Sequence, residues 1–218
     1  LGRVTVYGYD ARNRLTTVTR PAPSAGAANP VVRYGYDAAG NRTTVTDELG
    51  RTSSTGYDAL DRPFTWTNAR GDVSSRTYDA AGRVATETDE LGRVTTYGYD
   101  LLDRLVSVTR ADPDGAGGPL TSPVTTYGYD LVGNRTSETD ARGNTERTSY
   151  DELNRPFAIE DAYGFTTTVV YDAVGNVLSR TDKRGRTTAY TYDELDRGGT
   201  MTQPEVDTPA GRVAPVTR

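Results

Sequence analysis

Carboxylates standing side by side are the residues of this chain best suited to chemistry: Asp47/Glu48, Asp89/Glu90, Asp151/Glu152 and Asp193/Glu194. Two carboxyl groups in one site can work as acid and base, or as acid and nucleophile in glycoside hydrolysis. Each of these pairs sits at a turn signal that recurs along the chain, and a catalytic pair has no need of copying. The reading is non-enzymatic, with no catalytic residue assigned. Asp112-Pro113-Asp114-Gly115 echoes a calcium loop, but the ligand spacing and distal Glu of an EF-hand are missing, so no metal site is assigned. The GAGG run at 115–118 lacks the strand-to-helix setting of a phosphate loop, and no cofactor is expected. Asn41-Arg42-Thr43 and Asn134-Arg135-Thr136 fit the glycosylation sequon, at a turn that accounts for the Asn by itself. The chain has no Cys and no His. That excludes disulfides, thiolate chemistry, Cys/His zinc sites and His acid–base catalysis.

What places the acidic residues is a repeat. A tyrosine followed by aspartate occurs at Tyr9-Asp10, Tyr36-Asp37, Tyr57-Asp58, Tyr78-Asp79, Tyr99-Asp100, Tyr129-Asp130, Tyr150-Asp151, Tyr171-Asp172 and Tyr192-Asp193. Successive tyrosines are 27, 21, 21, 21, 30, 21, 21 and 21 residues apart, which is one 21-residue unit with two insertions. A fixed period of this length marks a repeat architecture. The function of such an array is spread over its copies, as a surface, a wall or a spacer.

One unit, residues 36–56, holds two turn signals: Asp37 with Gly40, and Asp47 with Gly50. Asp at the first turn position and Gly at the fourth is a type I turn preference. The fourth position of the first turn is Asn13, Gly40, Asp61, Gly82, Asp103, Gly133, Asn154, Gly175 and Asp196, all types that tolerate left-handed backbone. The second turn keeps Gly50, Gly71, Gly92, Gly143, Gly164 and Gly185. Between turns lie stretches of about six residues rich in Thr, Val, Tyr and Arg, which read as strands. The expectation is an all-β fold, a repetitive antiparallel hairpin meander with two strands per repeat, winding into a spiral β-shell or tube. Helix is disfavoured, because turns recur too often to leave room for one. Tyr-x-Tyr pairs such as Tyr34/Tyr36 and Tyr97/Tyr99 put both rings on one face, where rings of neighbouring units are expected to stack into a ladder. Thr and Arg occupy both strand parities, so the pattern does not say which face is inside.

Hydrophobic residues make up 34% of the chain, with one Trp and three Phe against fifteen Tyr. That is thin for a thick core and suits an extended sheet. The charge is −5 with both signs interspersed, so nucleic acid is not an expected partner. No apolar run approaches the roughly 20 residues of a membrane span. Residues 1–10 match 91–100, and the last residues match a segment that elsewhere precedes a repeat, so both ends are expected to be cuts through a longer array.

A second period groups the units by four. The long units begin at Tyr9, Tyr99 and Tyr192, and Arg62-Pro63-Phe64 returns as Arg155-Pro156-Phe157. Residues 1–218 are read as a single array, with four-repeat blocks near 9–98 and 99–191 and long loops at 20–33, 110–126 and 198–218. Two explanations stay open: duplication of a four-repeat block, or four repeats completing one turn of a spiral. The loops are surface insertions or contact points for neighbouring chains.

Units such as YDAAGNRTTVTDELGRTSSTGYD and YDAAGRVATETDELGRVTTYGYD resemble the tyrosine-aspartate repeats of Rhs proteins, insecticidal toxin-complex C subunits and teneurins. The resemblance covers essentially the whole chain. It implies a β-sheet strip spiralling into a hollow shell, which in the toxin members encloses a C-terminal toxin. No plug segment, aspartyl self-cleavage motif or toxin domain is found here, so the release chemistry is carried to no residue. The expected function is a structural wall that encloses or presents cargo, secreted or on a bacterial surface. The alternatives are a self-assembling extracellular filament and a surface carbohydrate-binding or adhesion module. Expected partners are neighbouring repeats of a longer chain, polypeptide cargo or identical chains, and glycans.

Overall fold

The computed structural model describes residues 4–24, 26–115, 120–204, 206–208, 211–213 and 216–217, and no helix occurs among them. The chain divides into two compact units, Leu1–Gly98 and Tyr99–Arg218. The first carries β1 (Val6–Tyr9), β2 (Leu15–Thr19), β3 (Val31–Tyr36), β4 (Arg42–Thr46), β5 (Thr52–Tyr57), β6 (Pro63–Thr67), β7 (Val73–Tyr78), β8 (Val84–Thr88) and β9 (Val94–Tyr99). The second carries β10 (Leu105–Thr109), β11 (Val124–Tyr129), β12 (Arg135–Thr139), β13 (Thr145–Tyr150), β14 (Pro156–Glu160), β15 (Thr166–Tyr171), β16 (Val177–Thr181), β17 (Thr187–Tyr192) and β18 (Gly198–Thr202). Three short strands end it: β19 (Val206–Thr208), β20 (Gly211–Val213) and β21 (Val216–Thr217). Within each unit the long strands pair antiparallel with their chain neighbours, the hairpin meander expected from the repeat. Among the described residues no side chain is buried. Hairpin hydrogen bonds and side-chain pairs therefore hold this sheet where a packed core holds other folds, at about 0.5–1.5 kcal/mol net per hydrogen bond and roughly 0.2–1 per cross-strand pair.

Both turn rows use one geometry. In the turn of Asp47, the Asp N–H donates to the carbonyl of Arg51 at 2.9 Å, and the Gly50 N–H returns to the Asp47 carbonyl at 3.0 Å. The fourth residue turns left-handed: φ is 78° at Gly50 and 59° at Asn13. In the Tyr-Asp hairpins the register also slips by one residue just before the tyrosine, as between Gly35 and Tyr36. That bulge has a close approach beside it, since a Cβ on Gly35 would overlap the hydroxyl of Thr44.

The long loops replace turns of the second row. Their necks are closed by backbone hydrogen bonds, Arg20 N–H to Pro30 and Arg110 N–H to Pro123, both 2.9 Å. Residues 31–33, 124–126 and 198–202, expected within long loops, are strand: β3, β11 and β18 already begin there. In the last case Met201 lies opposite Tyr190, so a cross-strand partner extends the ladder into a segment that carries two glycines. Residues 25, 116–119, 205, 209–210, 214–215 and 218 of those loops lie outside the described residues.

The two faces of the sheet differ in chemistry. One carries mainly Thr and Ser, for example the opposed pairs Thr44/Ser54, Thr65/Ser75 and Thr86/Thr96. The other carries Tyr34 opposite Val45, Thr55 opposite Trp66, and Arg76 opposite Glu87. Strand parity, which left the faces equivalent, becomes informative once the bulges fix the register.

Candidate functional site

The Tyr-Asp hairpin is the feature the chain builds nine times, and its side chains form one connected set. The aspartate serves its own turn. One carboxylate oxygen of Asp58 accepts the N–H groups of Leu60 at 2.9 Å and Arg62 at 3.0 Å, and the other accepts Arg62 Nε at 2.8 Å. Asn41, Asn134 and Asn176 take the arginine's place beside Asp37, Asp130 and Asp172. These contacts hold the carboxyls below the ordinary carboxylate range. For Asp10, Asp47, Asp151 and Asp193 the largest cause is the backbone N–H of the arginine four residues on. For Asp58 and Asp79 it is the arginine side chain itself.

The tyrosine serves the strand before it. Tyr78 OH donates to the carbonyl of Pro63 at 2.7 Å, Tyr129 OH to Leu105 at 2.8 Å, and Tyr171 OH to Pro156 at 2.9 Å. Tyr36, Tyr57, Tyr150 and Tyr192 do the same with Leu15, Arg42, Arg135 and Val177. Each acceptor is the first residue of the preceding strand, where the ladder to the tyrosine's own strand has run out. Rings stacked on rings are the expectation from sequence; instead, at Tyr36, Tyr78, Tyr129 and Tyr171, the guanidinium of the preceding turn lies over the ring. Arg14, Arg62, Arg104 and Arg155 sit 4.7, 4.2, 4.7 and 4.6 Å from the ring centres of Tyr36, Tyr78, Tyr129 and Tyr171. The ring face attracts the cation.

The joints between successive Tyr-Asp hairpins come in two alternating kinds, which reading the repeats one by one does not reveal. In the first kind an arginine reaches forward. Besides covering the ring, Arg14, Arg104 and Arg155 donate to the carbonyls of Asp37, Asp130 and Asp172 at 3.0, 2.9 and 2.9 Å. The next turn then has glycine at its left-handed position, and the guanidinium of Arg62 lies 3.4 Å from where a Cβ on Gly82 would stand. In the second kind the next turn has Asx at that position, and in three of the four an asparagine reaches forward to it: Asn41 to Asp61 at 2.6 Å, Asn134 to Asn154 at 2.8 Å and Asn176 to Asp196 at 2.8 Å, while ahead of Asp103 the asparagine's place is held by Arg83. The signal was present in sequence, since that position alternates Asx and Gly from Asn13 to Asp196. The elementary period is thus two repeats.

The second-row glycines Gly50, Gly71, Gly92, Gly143, Gly164 and Gly185 all have positive φ, with no atom within 4 Å of an added Cβ. Conformation, not crowding, selects them. The side-by-side carboxylates separate in role: Asp47 and Asp89 cap their turns, while Glu48 pairs with Arg20 at 2.8 Å and Glu90 accepts Asn68 at 3.0 Å. No cluster of three or more metal-ligating side chains occurs among the described residues.

A search of curated proteins gives no match. Among solved structures, the crystal structure of TcdB2-TccC3 without the hypervariable C-terminal region is similar over 97% of this chain and 13% of that one, with a TM-score of 0.57 and 18% identity. The crystal structure of TcdB2-TccC3-TEV is similar over 96% and 14%, with a TM-score of 0.56 and 17% identity. The chain therefore spans a small part of the length of these neighbours, and at such identities the likeness concerns the fold. A family model described as RHS Repeat matches residues 1–25, 25–52, 36–73, 57–90, 78–116 and 171–213. With most of its length matched, and with the Tyr-Asp hairpins in phase throughout, the chain belongs to the RHS repeat family.

Proposed function

We propose that the chain is a non-catalytic wall segment of a larger RHS-repeat protein, secreted or held at a bacterial surface, whose sheet encloses or presents a polypeptide cargo. The observation that carries this reading is the employment of the polar side chains. The aspartates of the Tyr-Asp pairs cap their own turns, and tyrosines, arginines and asparagines bind the neighbouring hairpin. The signature residues are joints in this reading, and the four-repeat blocks near 9–98 and 99–191 are its building units. The division of the chain at Gly98/Tyr99 supports those blocks. Electron microscopy of the full-length protein that contains this chain tests the proposal. Hollow shells with density inside are expected. Long fibres of uniform width would overturn it in favour of a filament, and a hydrolase activity lost on substituting turn carboxylates would overturn its non-catalytic part.

A further inference from the structure

On the face that carries the tyrosines, two equivalent stretches differ by an inversion of charge. In the first unit Trp66, Arg76, Glu87 and Tyr97 share this face on β6, β7, β8 and β9, with Arg76 directly opposite Glu87, Trp66 diagonal to Arg76 and Tyr97 diagonal to Glu87. Arg76 Nε donates to Glu87 at 3.0 Å and its guanidinium lies 5.3 Å from the Trp66 ring, while Tyr97 OH donates to the other carboxylate oxygen at 2.6 Å. A carboxylate is thus bracketed by a guanidinium and a phenol. Eight strands on, the same four places are held by Ile159, Val169, Arg180 and Tyr190 on β14, β15, β16 and β17. The acceptor has become a donor, and the arginine that faced it has become a valine.

Neither Arg180 nor the Tyr190 hydroxyl has a hydrogen bond, ion pair or ring contact with a described residue. Arg180 is exposed and Tyr190 half-buried. Both line a groove of about 620 Å³ that also holds Ile159, Val169 and Met201. Its one carboxylate, that of Asp182, is taken up by Arg186 and by the N–H groups of its own turn. Two donors without an acceptor, set among apolar side chains, suit a planar carboxylate with apolar neighbours. A bare phosphate would meet one unpaired guanidinium, since Arg186 of the lining is held by Asp182, and would leave the apolar floor uncovered. The groove runs from β14 to β18, about 19 Å at ~4.8 Å per strand, which matches an extended segment of about six residues.

We propose that the groove at Arg180 and Tyr190 binds an extended polypeptide segment through a glutamate side chain flanked by apolar residues. The incoming carboxylate accepts from Tyr190 as Glu87 accepts from Tyr97, and from Arg180 as Glu87 accepts from Arg76. The site does not depend on the chain being part of an enclosing wall.

The test is a titration of the whole chain, isotope-labelled at arginine and tyrosine, with a terminally blocked hexapeptide of Val and Leu carrying one central Glu, and with its Gln counterpart. The expected result is a saturable shift of the Arg180 Nε–H resonance, with the Glu peptide binding about tenfold more tightly than the Gln peptide. Arg180→Gln should abolish the shift of Tyr190. The double variant Val169→Arg/Arg180→Glu rebuilds the pair of the first unit, so it should lose the peptide while melting no lower than the parent chain. Equal binding of the two peptides, persistence of binding in Arg180→Gln, or an equal response to inorganic phosphate would each overturn the proposal.

Discussion

Asp79 illustrates how much one side chain does in this molecule. It accepts two backbone N–H groups of its turn and the Nε of Arg83. Asn68 accepts the corresponding two N–H groups without a charge. Asp79→Asn should therefore lower the melting temperature less than Asp79→Ala, which leaves those donors to water. Acidity acts on the whole row. The carboxyls of Asp10, Asp47, Asp58, Asp79, Asp151 and Asp193 are depressed in the folded state. Their contribution is complete above the unfolded value near 3.8 and is lost as pH falls through the lower folded values. Thermal melts should be flat from pH 7 to about 5 and fall steeply below about 4, and a fall already complete at pH 5 would contradict this account. For the aromatic partner, Tyr78→Phe deletes a 2.7 Å hydrogen bond and keeps the ring, at a cost of about 0.5–1.5 kcal/mol by chemical denaturation. Arg62→Gln uncovers the same ring and also removes the cation paired with Asp58, so it should cost more than an exposed ring contact alone, which is worth about 0.5–1 kcal/mol.

Strands and turns were legible in the sequence because they rest on local rules. Asp-x-x-Gly makes the turn, and Thr, Val and Tyr make the strand, within ten or eleven residues of chain. What stayed hidden depends on register. The one-residue slip before Tyr36 decides that Thr44 lies beneath Gly35 and that Tyr34 faces Val45, and no period-two pattern reports a slip. The partner of the ring was hidden for a related reason: Arg62 and Tyr78 are sixteen residues apart in sequence, and only the hairpin geometry brings them to 4.2 Å. The bulge offers a direct check. Gly35→Ala should destabilise by about 1–3 kcal/mol through overlap with the Thr44 hydroxyl. Removing that oxygen with Thr44→Ala should recover part of the loss, and an unchanged penalty in the double variant would mean that backbone conformation, not crowding, selects this glycine.

At the scale of the molecule, stability in a repeat array is a sum of unit and neighbour contributions, so the alternation of joints has a counting consequence. Deleting Asp130–Tyr150 sets Arg104, which now donates to the Asp130 carbonyl, before a turn with asparagine at the left-handed position that Gly133 holds, whereas deleting Asp130–Tyr171 brings Gly175 there and restores the pairing. The longer deletion should be the less destabilising of the two in urea melts. A loss that simply grows with the number of residues removed would show that the two kinds of joint are interchangeable. The same turns bear on where such a chain can travel. Histidine is the side chain whose ordinary pKa lies between about pH 5 and 8, and this chain has none. Its turn aspartates ionise lower still, and guanidinium groups do not give up their proton. From neutral surroundings into an acidifying vesicle, the hairpin rows keep one electrostatic identity, so any acid-triggered opening of an assembly built from them has to be sensed by other parts.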